Sequence, residues 1–151
     1  FLLINSGVRP WAIRTPLFIH RTRVMPEPPP MPHILVVEDE DNIALALDWL
    51  LTREGYRHAR IATGDAALPA IRRIRPDLVL LDVMLPGASG YDICRELRAD
   101  PALSEVRVLM MTARGSALEQ RRGLDLGADG FIAKPFDPAE LRREIHRLLA
   151  A

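Results

Sequence analysis

Lysine is nearly absent from this chain: of its twenty basic residues nineteen are arginine, and the exception is Lys134. A sequence that supplies arginine wherever a generic positive charge suffices has a specific use for a compact, mobile ammonium at that one place, which a planar guanidinium does not fill. Phosphate-binding sites often require such a point charge. Cysteine is equally scarce. Cys94 alone excludes an internal disulfide and fits a reducing, cytoplasmic compartment, and it reads as a small buried residue rather than a redox centre. No apolar run reaches the ~20 residues of a membrane-spanning helix. Net charge is absent too, with twenty basic and twenty acidic residues, although it is unevenly spread. Residues 1–32 hold Arg9, Arg14, Arg21 and Arg23 against Glu27, leaving sixteen basic and nineteen acidic residues in the remainder, a net of −3. That balance gives no electrostatic reason to bind nucleic acid directly or to bind anionic lipid.

A chain of 151 residues is long enough for one domain with a proper core. The first 24 residues mix Trp11, Phe18 and aliphatic residues with four arginines. Pro10 and Pro16 interrupt any helix there, and Arg9 and Arg14 break the unbroken apolar stretch of a secretory signal. The lack of acids before Glu27 is shared with organelle transit peptides. However, the sequence begins at Phe1, and Met25 and Met31 are both plausible starts. The reading adopted is a largely disordered extension of vector or upstream-translated origin over residues 1–32, ending in the proline-rich spacer Pro26 to Pro32.

From His33 onward apolar runs alternate with helical patterns: HILVV (33–37), RHARIA (57–62), DLVLL around 78–81, VRVLMMTA (106–113) and GFIA (130–133). Four are nearly continuous, as in parallel strands covered on both faces; the second is more polar and suits a sheet edge. Ile43, Leu47, Leu50 and Leu51 recur at helical spacing. Ser116 with Glu119 makes a capping box, Gly127 can end that helix, and Asp137, Pro138 and Glu140 start another. Pro69 falls inside the second helix and should weaken or delay its first turn. Five strand–helix units predict an α/β fold, a three-layer sandwich with right-handed crossovers, whose ligands gather at the carboxyl ends of the strands. Glu38, Asp39 and Glu40 follow the first of these strands, Asp82 closes the third, Thr112 falls near the end of the fourth, and Lys134 follows the fifth.

If Glu38, Asp39 and Asp82 converge, two carboxylates about 5 Å apart repel by about 3 kcal/mol at an effective dielectric near 20. Either one protonates or a cation binds between them. The ligands are all hard oxygens, with no histidine or cysteine in these loops, which favours Mg2+ or Mn2+ over zinc. A carboxylate can also act as a nucleophile and become an aspartyl phosphate, a transfer governed by positioning and charge neutralisation. Lys134 and a hydroxyl from Thr112 suit the phosphoryl oxygens. A glycine-rich nucleotide cradle is missing, which argues against ATP as donor.

ILVVEDE, LLDVMLPGASGYD, VLMMTA and FIAKPF, in this order and spacing, resemble the receiver domain of bacterial two-component response regulators over about residues 33–151. The resemblance implies a flavodoxin-like, doubly wound (βα)5 sandwich with a five-stranded parallel sheet of order 2-1-3-4-5. It implies that Asp82 is the phosphoacceptor, that Asp39 binds Mg2+ directly and Glu38 mostly through water, and that Met84 offers its backbone carbonyl to the metal. Lys134 would contact the phosphoryl group, across a cis bond to Pro135. Thr112 would be the switch hydroxyl and Phe131 the switch aromatic, moving into space that Thr112 vacates. The implied partners are a sensor histidine kinase or phosphotransfer protein and a downstream effector protein, with a phosphorylation-dependent homodimer through helix 4, strand 5 and helix 5 as an option. Gly130 and the sparse charges nearby do not reproduce the acidic–aromatic pattern of the best-known dimerising subfamily. The expected role is that of a phosphoacceptor with slow autodephosphorylation, not of a turnover enzyme.

Taken singly these residues have plainer readings: Asp39 or Glu40 as a helix cap, Thr112 as an ordinary strand residue, Phe131 as core, Asp82 as the start of a turn. Their joint arrangement outweighs those. Leu45 and Trp49, four apart on the helix face opposite Ile43 and Leu47, form a candidate docking patch for the kinase; packing against the last helix or the N-terminal extension is the alternative. The chain is read as a single-domain receiver, with a fragment of a larger DNA-binding regulator or hybrid histidine kinase as the alternative. A phosphatase with an aspartyl-phosphate intermediate would place a second acid two residues after the nucleophile, where Met84 stands. A flavin-binding flavodoxin needs a loop rich in Ser, Thr and Gly where this chain has EDEDN. A receiver-like scaffold that is never phosphorylated has no need of the intact set Asp39, Asp82, Thr112 and Lys134.

Two positions bear on kinetics. Met84 lies two residues past Asp82 and Arg114 two past Thr112, and neither side chain is a good positioner of a hydrolytic water. The expected phosphoryl lifetime is minutes to hours; a phosphate-release assay showing loss within seconds would contradict it.

Overall fold

The computed structural model describes residues 25–113 and 116–150. The expectations for residues 1–24 and for Arg114 lie outside the described residues. Residues 25–32 carry no regular secondary structure and are mostly exposed. They lead into a strict alternation: β1 (His33–Val37), α1 (Asp41–Arg53), β2 (Arg57–Ile61), α2 (Ala67–Ile74), β3 (Leu78–Asp82), α3 (Gly90–Ala99), a single 3-10 turn (Pro101–Leu103), β4 (Arg107–Thr112), α4 (Ala117–Asp125), β5 (Gly130–Ala133) and α5 (Pro138–Ala150).

The five strands form one sheet in the order β2-β1-β3-β4-β5, and each adjacent pair is parallel. All five residues of β3, at the centre, are buried, whereas β2 is an edge strand with Arg57 and Arg60 exposed. This is why β3 reads as a continuous apolar run and β2 does not. Side chains alternate across the sheet and separate two cores. On one face Ile34, Val36, Leu80, Leu109 and Met111 pack against Leu47, Leu50 and Leu51 of α1 and Leu141, Ile145 and Leu148 of α5. On the other, Leu35, Val37, Val79, Leu81 and Met110 meet Ala67 and Ile71 of α2 and Ile93, Cys94 and Leu97 of α3. The architecture is the expected three-layer sandwich. Each fully buried leucine or isoleucine contributes about 1.5–3 kcal/mol to it.

Local signals account for the helix limits. Asp137 accepts from the amide of Ala139 at 2.9 Å, with Pro138 in the first position of α5, where a proline loses no hydrogen bond. Pro69 is accommodated because α2 starts only at Ala67, which leaves the proline in the first turn, where amides have no intrahelical partner. α4 differs from the others: Gly123 is its only buried residue, while Leu118 and Leu124 are exposed.

The loop after β3 is held by close backbone approach. A Cβ on Gly90 would lie 2.3 Å from the carbonyl oxygen of Asp82, and one on Gly64 would lie 2.2 Å from that of Ala88. The Gly64 amide also donates to the Pro86 carbonyl at 2.8 Å. The β2–α2 and β3–α3 loops are therefore stapled together beside the end of β3. Gly90→Ala should destabilise the protein by about 1–3 kcal/mol, seen as a lower urea midpoint with an unchanged slope; an unshifted midpoint would contradict this packing.

Candidate functional site

A parallel sheet delivers the carboxyl ends of all its strands to one edge, and here backbone hydrogen bonds continue just past the regular strands. The amide of Glu38 donates to the Ile61 carbonyl at 3.0 Å, that of Val83 to Met111 at 3.0 Å, and that of Lys134 to Thr112 at 2.7 Å. The backbone at Glu38, at Lys134 with Thr112, and directly after Asp82 is thus anchored to the neighbouring strand. The Lys134–Pro135 peptide is cis.

The side chains converge. Lys134 Nζ lies 2.7 Å from Glu38 Oε2 and 3.4 Å from Asp82 Oδ1. All three side chains are almost wholly shielded, at 8%, 0% and 4% exposure. Glu38 Oε1 accepts from the Glu40 amide, and Asp82 Oδ1 from the Met84 amide, both at 3.2 Å. Asp39 stays exposed at the rim, and one carboxylate oxygen from each of Glu38, Asp39 and Asp82 lies within 4.8 Å of the others. Three hard anionic oxygens at that spacing, with one ammonium beside them, are a donor set suited to Mg2+ or Mn2+. Asp82 is pushed up to about 6, first by burial and then by the Glu38 charge, with Lys134 and the Met84 amide pulling the other way. A buried carboxylate facing another across a single lysine carries uncompensated negative charge.

Thr112 is buried at the end of β4 and Phe131 half-buried on β5. The register pairs Thr112 with Ala133 and Met110 with Phe131, which makes Thr112 and Phe131 diagonal neighbours on the face that carries α4. Met84 exposes its side chain. Leu45 and Trp49 are 68% and 60% exposed, with the Arg53 guanidinium 5.2 Å from the Trp49 ring centroid. Leu45 lines a depression shared with His58, Ala59 and Arg60 of β2, and both residues line a second one formed along α1. The opposite flank of α1, with Ile43 and Ala46, forms with Pro135 and Phe136 a groove that reaches Lys134. The exposed pair and the acid pocket therefore do not share one groove.

Two residues that sequence reasoning passed over support this region. Arg60 on β2 donates to the backbone carbonyls of Glu38 at 3.0 Å and Asp39 at 3.2 Å, and its Nη1 lies 2.9 Å from Asp41. It holds the acidic loop in place. Only the β1–β2 register, which pairs Val36 with Arg60, shows that it reaches there. The second is Tyr91, whose hydroxyl donates to Glu119. The sequence suggested a reciprocal capping box at α4. Ser116 Oγ does accept from the Glu119 amide at 3.2 Å, but the Glu119 carboxylate is engaged by Tyr91.

The raised Asp82 value has a thermodynamic sign. Between the ordinary value of 3.8 and about 6 the folded chain binds more protons than the unfolded one. Stability therefore falls as pH rises through that window, and the loss is complete above it. Asp82→Asn removes the ionisation. Without divalent metal at pH 7.5 it should be more stable than the parent by on the order of 2–3 kcal/mol, visible as a Tm several degrees higher. The gap should close as pH drops towards 4. Thermal scans in EDTA giving no gain for the variant at pH 7.5 would contradict the charge imbalance.

Residues 34–146 match the family model of the response regulator receiver domain. The chain is 49% identical over 108 residues to the DNA-binding response regulator MtrA of Mycolicibacterium smegmatis, covering 72% of this chain and 46% of MtrA. It is 44% identical over 119 residues to the sensory transduction protein RegX3 of Mycobacterium bovis, covering 79% and 51% respectively. The chain thus spans about half the length of the curated relatives it matches. Among solved structures, the BeF3-activated N-terminal receiver domain of Klebsiella pneumoniae RstA superposes with a TM-score of 0.74 at 31% identity, covering 79% of this chain and 99% of that one. The receiver domain of the sensor histidine kinase PA1611 from Pseudomonas aeruginosa, solved with a magnesium ion coordinated in the active site cleft, also gives 0.74, at 32% identity over 80% and 99%. In the described residues no helix is long and apolar enough to cross a membrane. With this sheet order, this arrangement of strand ends and these matches, the chain belongs to the response regulators through a receiver domain.

Proposed function

We propose that Asp82 accepts a phosphoryl group from a phosphohistidine on a sensor kinase or phosphotransfer protein, and that the chain signals through the resulting change of its surface. The observation that carries this reading is the placement of the one lysine, 2.7 Å from Glu38 and 3.4 Å from Asp82 in a buried acidic pocket. In the transfer, an Asp82 carboxylate oxygen attacks phosphorus and the P–N bond to the imidazole breaks. The imidazole nitrogen keeps the electron pair and takes a proton from solvent. Asp82 must be ionised to attack, which its value of about 6 allows at neutral pH. Lys134 is already held beside the nucleophile and can turn its ammonium from Glu38 to the incoming phosphoryl oxygens with little movement.

Asp39 and Asp82 would hold Mg2+ directly, Glu38 mostly through water, and the Met84 carbonyl would complete the protein ligands; Mn2+ fits the same oxygens. When bound, the ion supplies the positive charge that three carboxylates and one lysine leave unmet. Arg60 keeps the Glu38–Asp39 backbone in position for it. The buried Thr112 hydroxyl then becomes the group drawn towards the phosphoryl oxygens, and Phe131, its diagonal neighbour, the side chain that fills the space left behind. The groove between Ile43 of α1 and Phe136 opens beside Lys134, which supports that flank, more than the Leu45–Trp49 flank, as the approach for the donor histidine. No turnover of a small substrate is assigned to the chain.

A second reading concerns the output. MtrA is named a DNA-binding response regulator and is about twice as long as the stretch matched. This favours a receiver that reports to a DNA-binding domain over one that acts alone on a separate effector.

Intact mass after incubation with acetyl phosphate and magnesium tests the central assignment. One added phosphoryl group is expected on the parent chain, none on Asp82→Asn, and none when EDTA replaces magnesium. Equal modification of the variant would place the phosphoryl group elsewhere and overturn the reading.

A further inference from the structure

α4 is the least anchored helix of the domain. Gly123 is its only buried residue; a Cβ there would come within 2.9 Å of the Met110 sulphur and 3.4 Å of the Phe131 ring. Leu118 and Leu124 face solvent, so apolar burial contributes little to its position. Polar contacts to α3 hold it at both ends. At the C-terminal end Arg98 of α3 donates to the Gly127 carbonyl and to Asp129, each at 2.7 Å, and Asp129 also accepts from the Val108 amide at 2.8 Å. At the N-terminal end the hydroxyl of Tyr91 donates to the Glu119 carboxylate. The Arg122 guanidinium, one turn further along α4, lies 4.3 Å from the centroid of the same ring.

The two ends differ in what they adjoin. The Arg98–Asp129 end is tied into β4 through Val108. The Tyr91 end lies between two parts of the candidate site. Tyr91 follows Gly90, whose amide donates to the Val83 carbonyl at 2.9 Å directly after Asp82. Glu119 sits in the first turn of a helix that begins five residues after Thr112. Phe131, the diagonal neighbour of Thr112, also lies against Gly123 of α4, so a displacement at the end of β4 is felt by that helix.

We infer that Tyr91, Glu119 and Arg122 form a clasp that holds the first turns of α4 against α3 in the unphosphorylated chain, and that opening it is part of the change that phosphorylation of Asp82 drives. The inference rests on the phosphoacceptor reading given above. Tyr91 is a positioning residue: its hydroxyl bonds Glu119 and its ring faces Arg122, both on α4. Its phenol is pushed up to about 12 by burial, and then by the hydrogen bond to Glu119 and that group's charge, so it stays a donor throughout the neutral range. A contact present in only one of two states biases their equilibrium by its own free energy. With the clasp present, part of the free energy gained at Asp82 goes into breaking a charge-assisted hydrogen bond and a cation–π contact.

Tyr91→Phe deletes the hydroxyl and leaves the ring under Arg122. Two measurements are made on the full chain: hydrogen exchange of the amides of residues 117–122 without ligand, and affinity for beryllofluoride with magnesium, as a mimic of the phosphoryl group. Exchange should become faster in the variant, and beryllofluoride should bind about fivefold tighter. Glu119→Gln keeps an acceptor oxygen but loses the charge, so it should fall between the parent and Tyr91→Phe in both. Unchanged exchange in Tyr91→Phe would overturn the clasp. Faster exchange with unchanged or weaker beryllofluoride binding would show a merely structural contact and overturn its role in the switch. A parent chain that binds no beryllofluoride would overturn the phosphoacceptor reading and this inference together, a result distinct from the other two.

Discussion

The ammonium of Lys134 is buried with two carboxylates, a third stands beside those two at the rim, and much of the site's character follows from that shortage of positive charge. Glu38 takes its closest contact, Asp82 a looser one, and Asp39 remains at the rim. In water three acids and one lysine would be screened; here burial itself raises the Asp82 value, and the Glu38 charge, felt more strongly because both groups are almost wholly shielded, raises it further. The pocket is therefore receptive to a divalent cation and to a group that brings its own oxygens to the lysine. Its geometry is imposed from outside the pocket. The parallel register, the hydrogen bonds just beyond the strands and the Arg60 grip on the Glu38 and Asp39 carbonyls fix the backbone of each participant. Mutual repulsion cannot then be relieved by moving the strands apart.

The same sheet gives the molecule a rigid part and a loosely held part. β1, β3 and β4 lie between two apolar layers and their positions are over-determined. α4 buries a single glycine and depends on polar contacts at its ends. A small displacement at the end of β4 has little effect on the close-packed layers but can shift a helix held in this way, because close-packed interiors resist deformation whereas a few polar contacts can be exchanged. Exposed Leu118 and Leu124 lie on that helix, so a change in its position alters a surface that a partner can read.

Much of the architecture was legible in the sequence because its causes are local or periodic. Continuous apolar runs mark strands covered on both faces, the polar run RHARIA marks an edge, and Asp137 with Pro138 marks a helix start. The acids after β1, Asp82, Thr112 and Lys134 were legible as a set because a parallel α/β sheet sends every strand end to one rim. Arg60 and Tyr91 were not. Each acts through a partner twenty or more positions away, and in sequence each looks like an ordinary strand or helix residue. The Ser116–Glu119 pair shows the same limit: its spacing signalled a reciprocal cap, but a tertiary neighbour took the carboxylate. The exposed Leu45–Trp49 pair was placed correctly by helical periodicity, yet which flank of α1 opens on Lys134 depends on where the β5–α5 link runs.

The sequence by itself determined the alternation of elements, the acidic, hydroxyl and ammonium side chains at the strand ends and the rim on which those strand ends gather. Periodicity and strand-end position are properties of the local chain and the sheet it builds. Tertiary structure alone decided that the lysine rests closer to Glu38 than to Asp82, that an arginine from the edge strand steadies the acidic loop, and that a tyrosine from α3 holds α4. Those outcomes depend on register, helix docking and burial, which arise when segments far apart in the chain compete for the same small volume.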